Sequence, residues 1–355
     1  MADHPTKAQA DREGIMGELQ AFGAASQQLN AWIAGEQALG LLRAAQTSGI
    51  LDAIGTPRTV ADIVGVTGVD VQRVADILLA LDAHGVVTRD GALYRLAPDF
   101  ALLSAPDAFQ TLPNLLGRAS VTARMIAASA APDDAYAGLS DAEALALAQG
   151  AGANPLSPTA VAYLGALMSR LPELRARWEA GARHLEFGCG AGSLLIGFLA
   201  AHPRLTAVGV ERNGAILPET RRRAVAAGVA DRLELRHADA RDGAEEAAYD
   251  SAFWAQQFFA AADRPATLAA LRRALKPGGF LLLTSFIPGE PPASPEEWHT
   301  PAGRAHALSR LEVGRWGVPA LTIDELRAEV EAAGFAYVRR APHSTMFMLL
   351  FRRSA

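Results

Sequence analysis

The stretch His184-Leu-Glu-Phe-Gly-Cys-Gly-Ala-Gly-Ser193 decides the fold of this chain. An apolar run enters a Gly-x-Gly-x-Gly turn, and a second apolar run, 194–201, follows at once. Glycine adopts the backbone angles of a tight turn and lets a ligand approach the backbone closely. A helix that begins directly after the turn presents free backbone N–H groups. The stretch therefore predicts a strand, a ligand-binding turn and a helix.

The segments after this turn extend the pattern. Residues 205–211 predict a second strand that ends in Glu211, where a carboxylate accepts two hydrogen bonds from a ribose diol in nucleotide-binding βαβ units. Residues 233–239 predict a third strand, and its Asp239 is placed to accept a hydrogen bond from an adenine amino group. A further strand is predicted at 280–286, after Lys276-Pro-Gly-Gly279. The order predicts an α/β, Rossmann-like domain that binds a nucleotide.

Glu186, just before the first glycine, indicates which cofactor is bound. Its carboxylate suits a ligand that carries an ammonium and a sulfonium, whereas it would repel a pyrophosphate. With its glycine turn, ribose acid, adenine acid and Pro-Gly-Gly strand, the segment 181–355 resembles the class I S-adenosylmethionine-dependent methyltransferases. A Rossmann-like domain for another nucleotide is the alternative. The resemblance implies S-adenosylmethionine as cofactor, bound by Glu186, Gly188, Gly190, Gly192, Glu211, Arg212, Asp239, Ala240 and Trp254.

Composition and charge exclude several classes of protein. The 355 residues are enough for two domains, and the single cysteine, Cys189, excludes a disulfide framework. We expect Cys189 to fill space beside the cofactor and not to act as a nucleophile. The net charge of −5 provides no basic surface for nucleic acid. The N-terminus is polar, and no apolar run approaches the ~20 residues that span a bilayer. We therefore expect a cytoplasmic protein that binds neither nucleic acid nor a membrane.

The first third of the chain predicts a second kind of domain. A helix is predicted at 34–48, a short one capped by Thr59, and a longer one at 71–83 capped by Asp70. Residues 86–96 predict a hairpin with its turn at Asp90-Gly91. These elements together predict a winged helix. Between residues 50 and 105, seven Asp oppose four Arg, so this domain would repel DNA phosphates.

The whole-chain pattern resembles the two-domain small-molecule O-methyltransferases of plants and bacteria. In that family an N-terminal winged helix serves dimerisation and helps to close the partner's active site. The resemblance implies a dimerisation domain at 1–106, helices at 107–180 that roof the acceptor pocket, and a cofactor-binding domain at 181–355. It also implies a homodimer formed through the apolar segment 22–42. A helix packed within its own monomer is the alternative for that segment.

Two groups of side chains are candidates for the acceptor site. Tyr163 and Met168 lie on the helix that leads towards the cofactor strand, although such residues are more often core. In the roof segment, the residues large enough to shape a pocket are Phe109, Leu116, Arg124, Met125, Tyr136, Tyr163, Met168 and Trp178. Downstream, a Pro-rich loop at 288–295 is a candidate lid. The substrate-binding candidates beyond it are His299, Arg304, Arg315 and Trp316, with a solvated surface position as the alternative for each His or Arg. Arg304 or Arg315 would bind the carboxylate of an acidic acceptor.

The expected catalytic base is replaced in this chain. In the O-methyltransferases that the chain resembles, a His-Asp-Trp motif supplies a histidine base, and alignment on Lys276 places this histidine at Gln257. The Asp and Trp positions become Phe258 and Phe259. Glutamine does not accept a proton, so three alternatives remain open. The acceptor is a nitrogen or carbon nucleophile, it is an already ionised oxygen, or another residue takes its proton. We also expect no metal, because the pair Gln257-Phe258 lacks the imidazole and carboxylate that bind one.

These observations predict a dimeric methyltransferase for a small, natural-product-like acceptor, which works mainly by proximity and orientation. Its predicted catalytic residues are Gln257, Gln256 and Tyr163, with the two amides orienting the acceptor. A buried amide that satisfies neighbouring backbone groups is the alternative. Two further classes stay open. One is an enzyme that attacks the aminocarboxypropyl chain of S-adenosylmethionine and releases methylthioadenosine. The other is a winged-helix regulator that has lost catalysis.

Overall fold

The computed structural model describes residues 7–130, 138–285, 291–343 and 346–354. Two compact units divide the chain, Met1–Ser104 and Ala105–Ala355. The second unit contains both the predicted roof helices and the predicted cofactor-binding domain. Tyr136 and residues 288–290 of the predicted lid lie outside the described residues.

The first unit is mainly helical and carries one two-stranded antiparallel sheet. Two helix starts are confirmed by their caps. Thr59 and Asp62 form a capping box, and Asp70 accepts hydrogen bonds from the next helix's first turn. The helices and the hairpin follow one another in the predicted order, and the winged helix stays a prediction. The elements are α1 Lys7–Thr47, α2 Ile50–Ala53, α3 Val60–Thr67, α4 Val71–Ala83, β1 Val87–Asp90, β2 Leu93–Leu96 and α5 Pro98–Ser104.

Helix α1 is much longer than the predicted 34–48. It runs for 41 residues without a proline, and its glycines at 14, 17, 23, 35 and 40 do not interrupt it. A lone glycine inside a helix costs only about 1 kcal/mol relative to alanine, so strong helix formers on either side outweigh it. The helix exposes a large apolar surface, with Phe22 71% and Trp32 63% exposed.

The second unit is built on a seven-stranded sheet with the order β5-β4-β3-β6-β7-β9-β8. Strands β3 to β7 pair in parallel, and β9 is antiparallel to both β7 and β8. Because the chain order reverses beside β3, a crevice is expected at the carboxyl ends of β3 and its neighbours. The strands are β3 Arg183–Phe187, β4 Thr206–Glu211, β5 Leu233–His237, β6 Tyr249–Trp254, β7 Leu275–Thr284, β8 Phe335–His343 and β9 Met346–Arg353.

Helices cover both faces of this sheet, as the α/β prediction requires. Successive strand residues alternate between the two cores, so that Phe253 packs into one cluster and Trp254 into the other. The helices of this unit are α6 Leu112–Ala127, α7 Asp141–Gly150, α8 Pro158–Met168, α9 Pro172–Glu179, α10 Ser193–Ala201, α11 Leu217–Ala226, α12 Arg264–Ala274, α13 Pro301–Gly314 and α14 Ile323–Ala332.

Candidate functional site

The glycine turn between β3 and α10 has the backbone that its sequence predicts. Gly188, Gly190 and Gly192 have φ values of 73°, 50° and 75°, which side chains rarely adopt. A Cβ on Gly188 would approach Phe259 Cε2 to 3.1 Å, and one on Gly192 would approach Ile196 Cδ1 to 2.7 Å. Backbone and packing therefore both require glycine here.

A cavity of about 170 Å³ opens at this turn, at the carboxyl ends of the central strands. Most of the predicted cofactor residues lie on its wall, although they come from different elements. Those that line it are Glu186, Gly188, Gly190, Glu211, Arg212, Asp239 and Ala240. Gly192 is not on the wall, since it is the N-cap residue of α10. The structure thus brings together residues from the ends of β3 and β4 and from the loop after β5.

Glu211 is held rigidly at the end of β4. Its carboxylate accepts hydrogen bonds from the backbone N–H of Gly190, at 3.0 Å, and of Asn213, at 2.9 Å. The side chain is buried, and burial raises its pKa although the two backbone hydrogen bonds oppose this shift. Each carboxylate oxygen offers two acceptor sites, so one further acceptor site per oxygen remains for hydroxyl groups.

Glu186 is a buried carboxyl group on β3 with an unsatisfied oxygen. Among the described residues, no hydrogen-bond donor reaches its Oε2 atom. Burial raises the pKa of this group well above its usual value. A buried carboxyl group without a partner is unfavourable, so its presence in a cavity wall indicates a site for a cationic ligand group.

Asp239 lies on the wall of the cavity and pairs with Arg241. Its Oδ1 accepts from the backbone N–H and Nε of Arg241, at 2.9 and 2.8 Å, and its Oδ2 accepts from Nη2 at 2.7 Å. These hydrogen bonds lower the pKa of Asp239. Arg241 also donates to Asp263, at 3.1 Å. Arg241 and Asp263, which the sequence analysis did not single out, therefore share this part of the cavity wall with Asp239.

A comparison with protein families identifies this unit. Residues 185–281, which include the glycine turn, Glu211 and Asp239, match the family described as "Methyltransferase domain". The second unit contains a class I methyltransferase domain. The match begins at the second residue of the stretch that predicted the fold and reaches into β7.

Individual relatives agree with this identification. The chain is 30% identical over 157 residues to 27-O-demethylrifamycin SV methyltransferase of Amycolatopsis mediterranei (strain S699), a match that covers 44% of this chain and 54% of that protein. The chain spans about half the length of the curated relatives it matches.

Solved structures show the same fold over nearly the whole chain. The mitomycin 7-O-methyltransferase MmcR matches with a TM-score of 0.67 and 20% identity, covering 95% of this chain and 100% of its own. CalO1, a methyltransferase of calicheamicin biosynthesis with S-adenosylhomocysteine bound, matches with a TM-score of 0.60 and 20% identity, covering 95% of this chain and 99% of its own. The chain therefore has the fold of the two-domain O-methyltransferases, and the family implies S-adenosylmethionine as its cofactor.

The methyltransferase domain fits this cofactor on chemical grounds. The unsatisfied carboxyl group of Glu186 suits the ammonium group, and the fixed carboxylate of Glu211 suits a ribose diol. Ser193 Oγ, also on the wall, is buried without a partner among the described residues. Both the cationic and the hydroxyl groups of the cofactor thus have matching groups on the cavity wall.

Gln257 lies on the wall of the cavity in the methyltransferase domain. Thr284 Oγ1, at the end of β7, donates a hydrogen bond to Gln257 Oε1 at 3.1 Å. Phe258 and Phe259 line the cavity beside it, and the ring of Phe258 packs on Trp316 with centroids 5.3 Å apart. The predicted substrate residue Trp316 is therefore one layer behind the wall.

Gln256, predicted as catalytic, does not line the cavity. It is buried, its Nε2 donates to the carbonyl oxygen of Thr284 at 3.1 Å, and its Oε1 accepts from Arg264 Nη1 at 2.9 Å. The alternative interpretation, a buried amide that satisfies its neighbours, is the one the structure supports for this residue.

Trp254 is a second correction. It was predicted to bind the cofactor, but its ring is fully buried in the core on the opposite face of the sheet from Phe253. The guanidinium of Arg264 lies 4.7 Å from the ring centroid. Strand alternation explains the difference, because Phe253 is the neighbour that faces the cavity.

Tyr163 and Met168 do not reach the cavity either. Both lie on α8, where Met168 is fully buried in the main core and Tyr163 packs against that core and against the ring of Phe109. None of the other described large side chains expected to shape the roof lines the cavity. Residues of α7 and the turn after it lie there instead: the small Ala144, Ala148, Ala151 and Gly152, together with Leu147. Because this part of the wall is mostly alanine, choosing residues by size did not identify it.

The downstream candidates His299, Arg304 and Arg315 also lie off the cavity wall. His299 and Arg304 are exposed, and the backbone carbonyl of His299 accepts a hydrogen bond from the Arg304 guanidinium. Arg315 is half-buried at the end of α13. A surface position, the alternative given for these residues, describes His299 and Arg304.

Proposed function

We propose that this protein transfers the methyl group of S-adenosylmethionine to a small-molecule acceptor. The match of residues 185–281 to the methyltransferase family carries the proposal, because its acids and glycines line one cavity. The fold of the two-domain O-methyltransferases supports it over 95% of the chain. Release of methylthioadenosine and a purely regulatory role have no such support.

We propose distinct roles for the residues of the cavity wall. Glu211 accepts from the ribose hydroxyls, Glu186 pairs with the ammonium group, and Asp239 accepts from the adenine amino group, with the backbone of Ala240 beside it. Gly188 and Gly190 allow the backbone to approach the ligand closely, and Gly192 starts helix α10. Arg212 lies on the wall next to Glu211.

The bound cofactor supplies a methyl group that its sulfonium already activates. The protein therefore has to hold the acceptor in line with this methyl group and to exclude water. Fixing two reactants in this way contributes up to about 7–11 kcal/mol to a reaction barrier. We propose that Gln257, Phe258 and Phe259, which line the cavity, contact the acceptor. We propose that they act by orientation, since glutamine cannot remove a proton.

We propose an acceptor of the natural-product type. The relatives act on such molecules by name, among them 27-O-demethylrifamycin SV and mitomycin. The aromatic side chains Phe253, Phe258 and Phe259 provide an apolar wall for a ring.

We also propose a homodimer formed through α1. Its exposed apolar residues form a surface of a kind that monomers rarely leave uncovered. They are Ile15, Met16, Leu19, Phe22, Leu29, Trp32, Ile33 and Leu39. No described helix combines the length and the apolar character needed to cross a membrane. The cytoplasmic location and the absence of nucleic-acid partners stay predictions.

One experiment tests the proposed activity directly. The purified protein is incubated with S-adenosylmethionine, alone and with phenols, amines, indoles and keto acids, and the products are identified by mass spectrometry. S-adenosylhomocysteine that forms only with an acceptor supports methyl transfer, and the methylated product identifies the acceptor atom. Methylthioadenosine above its spontaneous formation would instead show that the methyl group stays on sulfur. The Glu211→Ala variant is the matched control for cofactor-dependent turnover.

A further inference from the structure

Gln257 lines the cavity and forms one described side-chain hydrogen bond, through its Oε1. Its Oε1 already accepts a hydrogen bond from Thr284 Oγ1, and Thr284 is itself buried at the end of β7. Within the described parts of the chain, no hydrogen bond is made by Gln257 Nε2. Because Gln257 lines the cavity, this N–H₂ group is the part of the amide left for a ligand. Gln257 thus offers a hydrogen-bond donor, where a basic histidine would offer an acceptor.

No other described residue of the cavity wall is suited to remove an acceptor's proton. Histidine is absent from the described wall, and its ionisable residues are Glu186, Cys189, Glu211, Arg212, Asp239, Arg241 and Asp263. The carboxyl group of Glu186 is assigned to the ammonium group of the cofactor, and burial raises the pKa of the Cys189 thiol well above its usual value, so neither is available to the acceptor. Glu211 is held by two backbone N–H groups, and Asp239 and Asp263 both pair with Arg241. The two arginines stay protonated.

The hydrogen-bond donor of Gln257, its Nε2 group, favours some methyl-accepting atoms over others. A neutral amine has a single lone pair, which must attack the methyl group, so a donor aimed at it would compete with the reaction. An oxyanion has three lone pairs, and a hydrogen bond to one of them leaves the others free to attack. A donor also stabilises the negative charge of an oxyanion by a charge-assisted hydrogen bond.

Resting on the proposed methyl transfer, we infer that the acceptor enters the site as an oxyanion on an aromatic ring, held by Gln257 Nε2. The aromatic wall of Phe253, Phe258 and Phe259 suits a ring, whereas it provides no partner for the second oxygen of a free carboxylate. The substrate class is therefore an acidic phenol or hydroxyquinone, whose hydroxyl group is already ionised near neutral pH.

The reaction of such an acceptor balances without a base. An oxygen lone pair forms the new O–C bond while the C–S bond of the cofactor breaks, and the electron pair of that bond stays on sulfur. The negative charge of the acceptor and the positive charge of the sulfonium cancel. No proton moves in this step, so the missing histidine is not needed.

The pH dependence of kcat/KM for a graded series of phenols tests this inference. Phenols of similar shape with pKa values of roughly 5 to 9 are compared with the wild-type protein. For each phenol, kcat/KM should rise with pH and level off above that phenol's own pKa, so that the midpoint moves across the series. A midpoint at one fixed pH for all phenols would show that an enzyme group removes the proton and would overturn the inference.

Three variants test the role of Gln257 and its partner. Gln257→Glu places a negative charge against the oxyanion and should lower kcat/KM for an acidic phenol about 10- to 100-fold, as expected for the loss of a hydrogen bond to a charged group. Gln257→His supplies a base, so it should raise the rate with weakly acidic phenols relative to acidic ones. Thr284→Val frees the orientation of the amide and should lower kcat/KM less than Gln257→Glu does. An unchanged kcat/KM in Gln257→Glu would contradict the donor role.

Cofactor binding separates failure of this inference from failure of the proposed function. Each variant should bind S-adenosylhomocysteine with the wild-type Kd, which calorimetry measures. If amines turn over and acidic phenols do not, the inference is overturned while methyl transfer stands. If no acceptor yields S-adenosylhomocysteine, the proposed function fails, and the inference fails with it.

Discussion

The substitution Arg264→Met should destabilise the second unit strongly. The Arg264 side chain is 1% exposed, and its guanidinium makes two kinds of contact. Nε and Nη2 donate to the two carboxylate oxygens of Glu329 at 2.8 and 2.5 Å, and Nη1 donates to the carbonyl oxygen and Oε1 of Gln256 at 3.0 and 2.9 Å. Methionine keeps most of the packing over Trp254 and removes all four hydrogen bonds.

The size of this effect depends on the groups that lose their hydrogen-bond partners, Glu329 and Gln256. Breaking a buried ion pair costs about 3–5 kcal/mol, because one buried group loses its partner. Glu329 is 28% exposed, so water solvates part of its freed charge, and the loss lies at the lower end. Gln256 is buried, so its Oε1 is left without a donor, whereas its carbonyl oxygen keeps the hydrogen bond from the backbone N–H of Phe259. We expect a loss of about 3 kcal/mol, which is roughly 6–12 °C in Tm for a unit of this size.

Urea unfolding, followed by tryptophan fluorescence and circular dichroism, measures this loss. Glu329→Gln keeps an acceptor for the guanidinium and should cost only about 1 kcal/mol. Combining Arg264→Met with Glu329→Leu removes the stranded charge, so the double variant should be more stable than the sum of the single effects by more than 0.5 kcal/mol, roughly the limit of additivity for independent sites. A loss below about 1 kcal/mol in Arg264→Met, or additive effects in the cycle, would refute this reasoning.

Four further predictions concern the cofactor site, the core and the dimer. Glu211→Ala should weaken S-adenosylmethionine binding by more than about tenfold, as for the loss of hydrogen bonds to a charged group, and an unchanged Kd by calorimetry would exclude the ribose role. Burial raises the pKa of Glu186, so binding of the cationic cofactor should ionise this carboxyl group and release a proton, and the affinity for the cofactor should rise with pH. Calorimetry in buffers of different ionisation enthalpy detects the proton release, which Glu186→Gln should abolish. Burial lowers the pKa of His184 from 6.5 to about 3, so below pH 6.5 the unfolded state takes up a proton that the folded state does not. Through this one group, stability should fall by about 1.4 kcal/mol per pH unit between about pH 6 and pH 3, and this contribution should be missing when His184→Gln is compared with the wild-type protein over the same range. Trp32→Glu should convert the dimer to a monomer in light scattering, and a wild-type protein that is already monomeric would exclude the α1 interface.

The fold was predictable from sequence where local signals are strong. The glycine turn, the capped helices α3 and α4 and the hairpin β1–β2 all depend on contacts within a few residues, and all are present. Strand β8 was not predicted. Its residues 338–343 alternate apolar and basic side chains only weakly, and its position depends on pairing with β9, which the local sequence does not indicate.

The cofactor part of the site was more predictable than the acceptor part. Glu186, Glu211 and Asp239 follow or end strands of a parallel sheet, so the topology brings them together. The acceptor side depends on which face of an element is turned inward. Positions 256 and 257 are both glutamine, so the sequence does not distinguish them. The structure shows that Gln256 pairs with Arg264 and that Gln257 lines the cavity. The alanine wall of α7 likewise becomes visible only through packing.

The two neighbouring glutamines differ in role, because Gln256 anchors the turn and Gln257 faces the cavity. Gln256 ties the turn to α12 and β7, whereas Gln257 has a single described hydrogen bond, to Thr284. A substitution at 257 therefore leaves the anchoring of the turn in place, and the position is free to change its chemical character. On the proposed function, single mutations at 257 should admit new acceptors without loss of the fold, which makes this turn a starting point for altering the specificity of the protein.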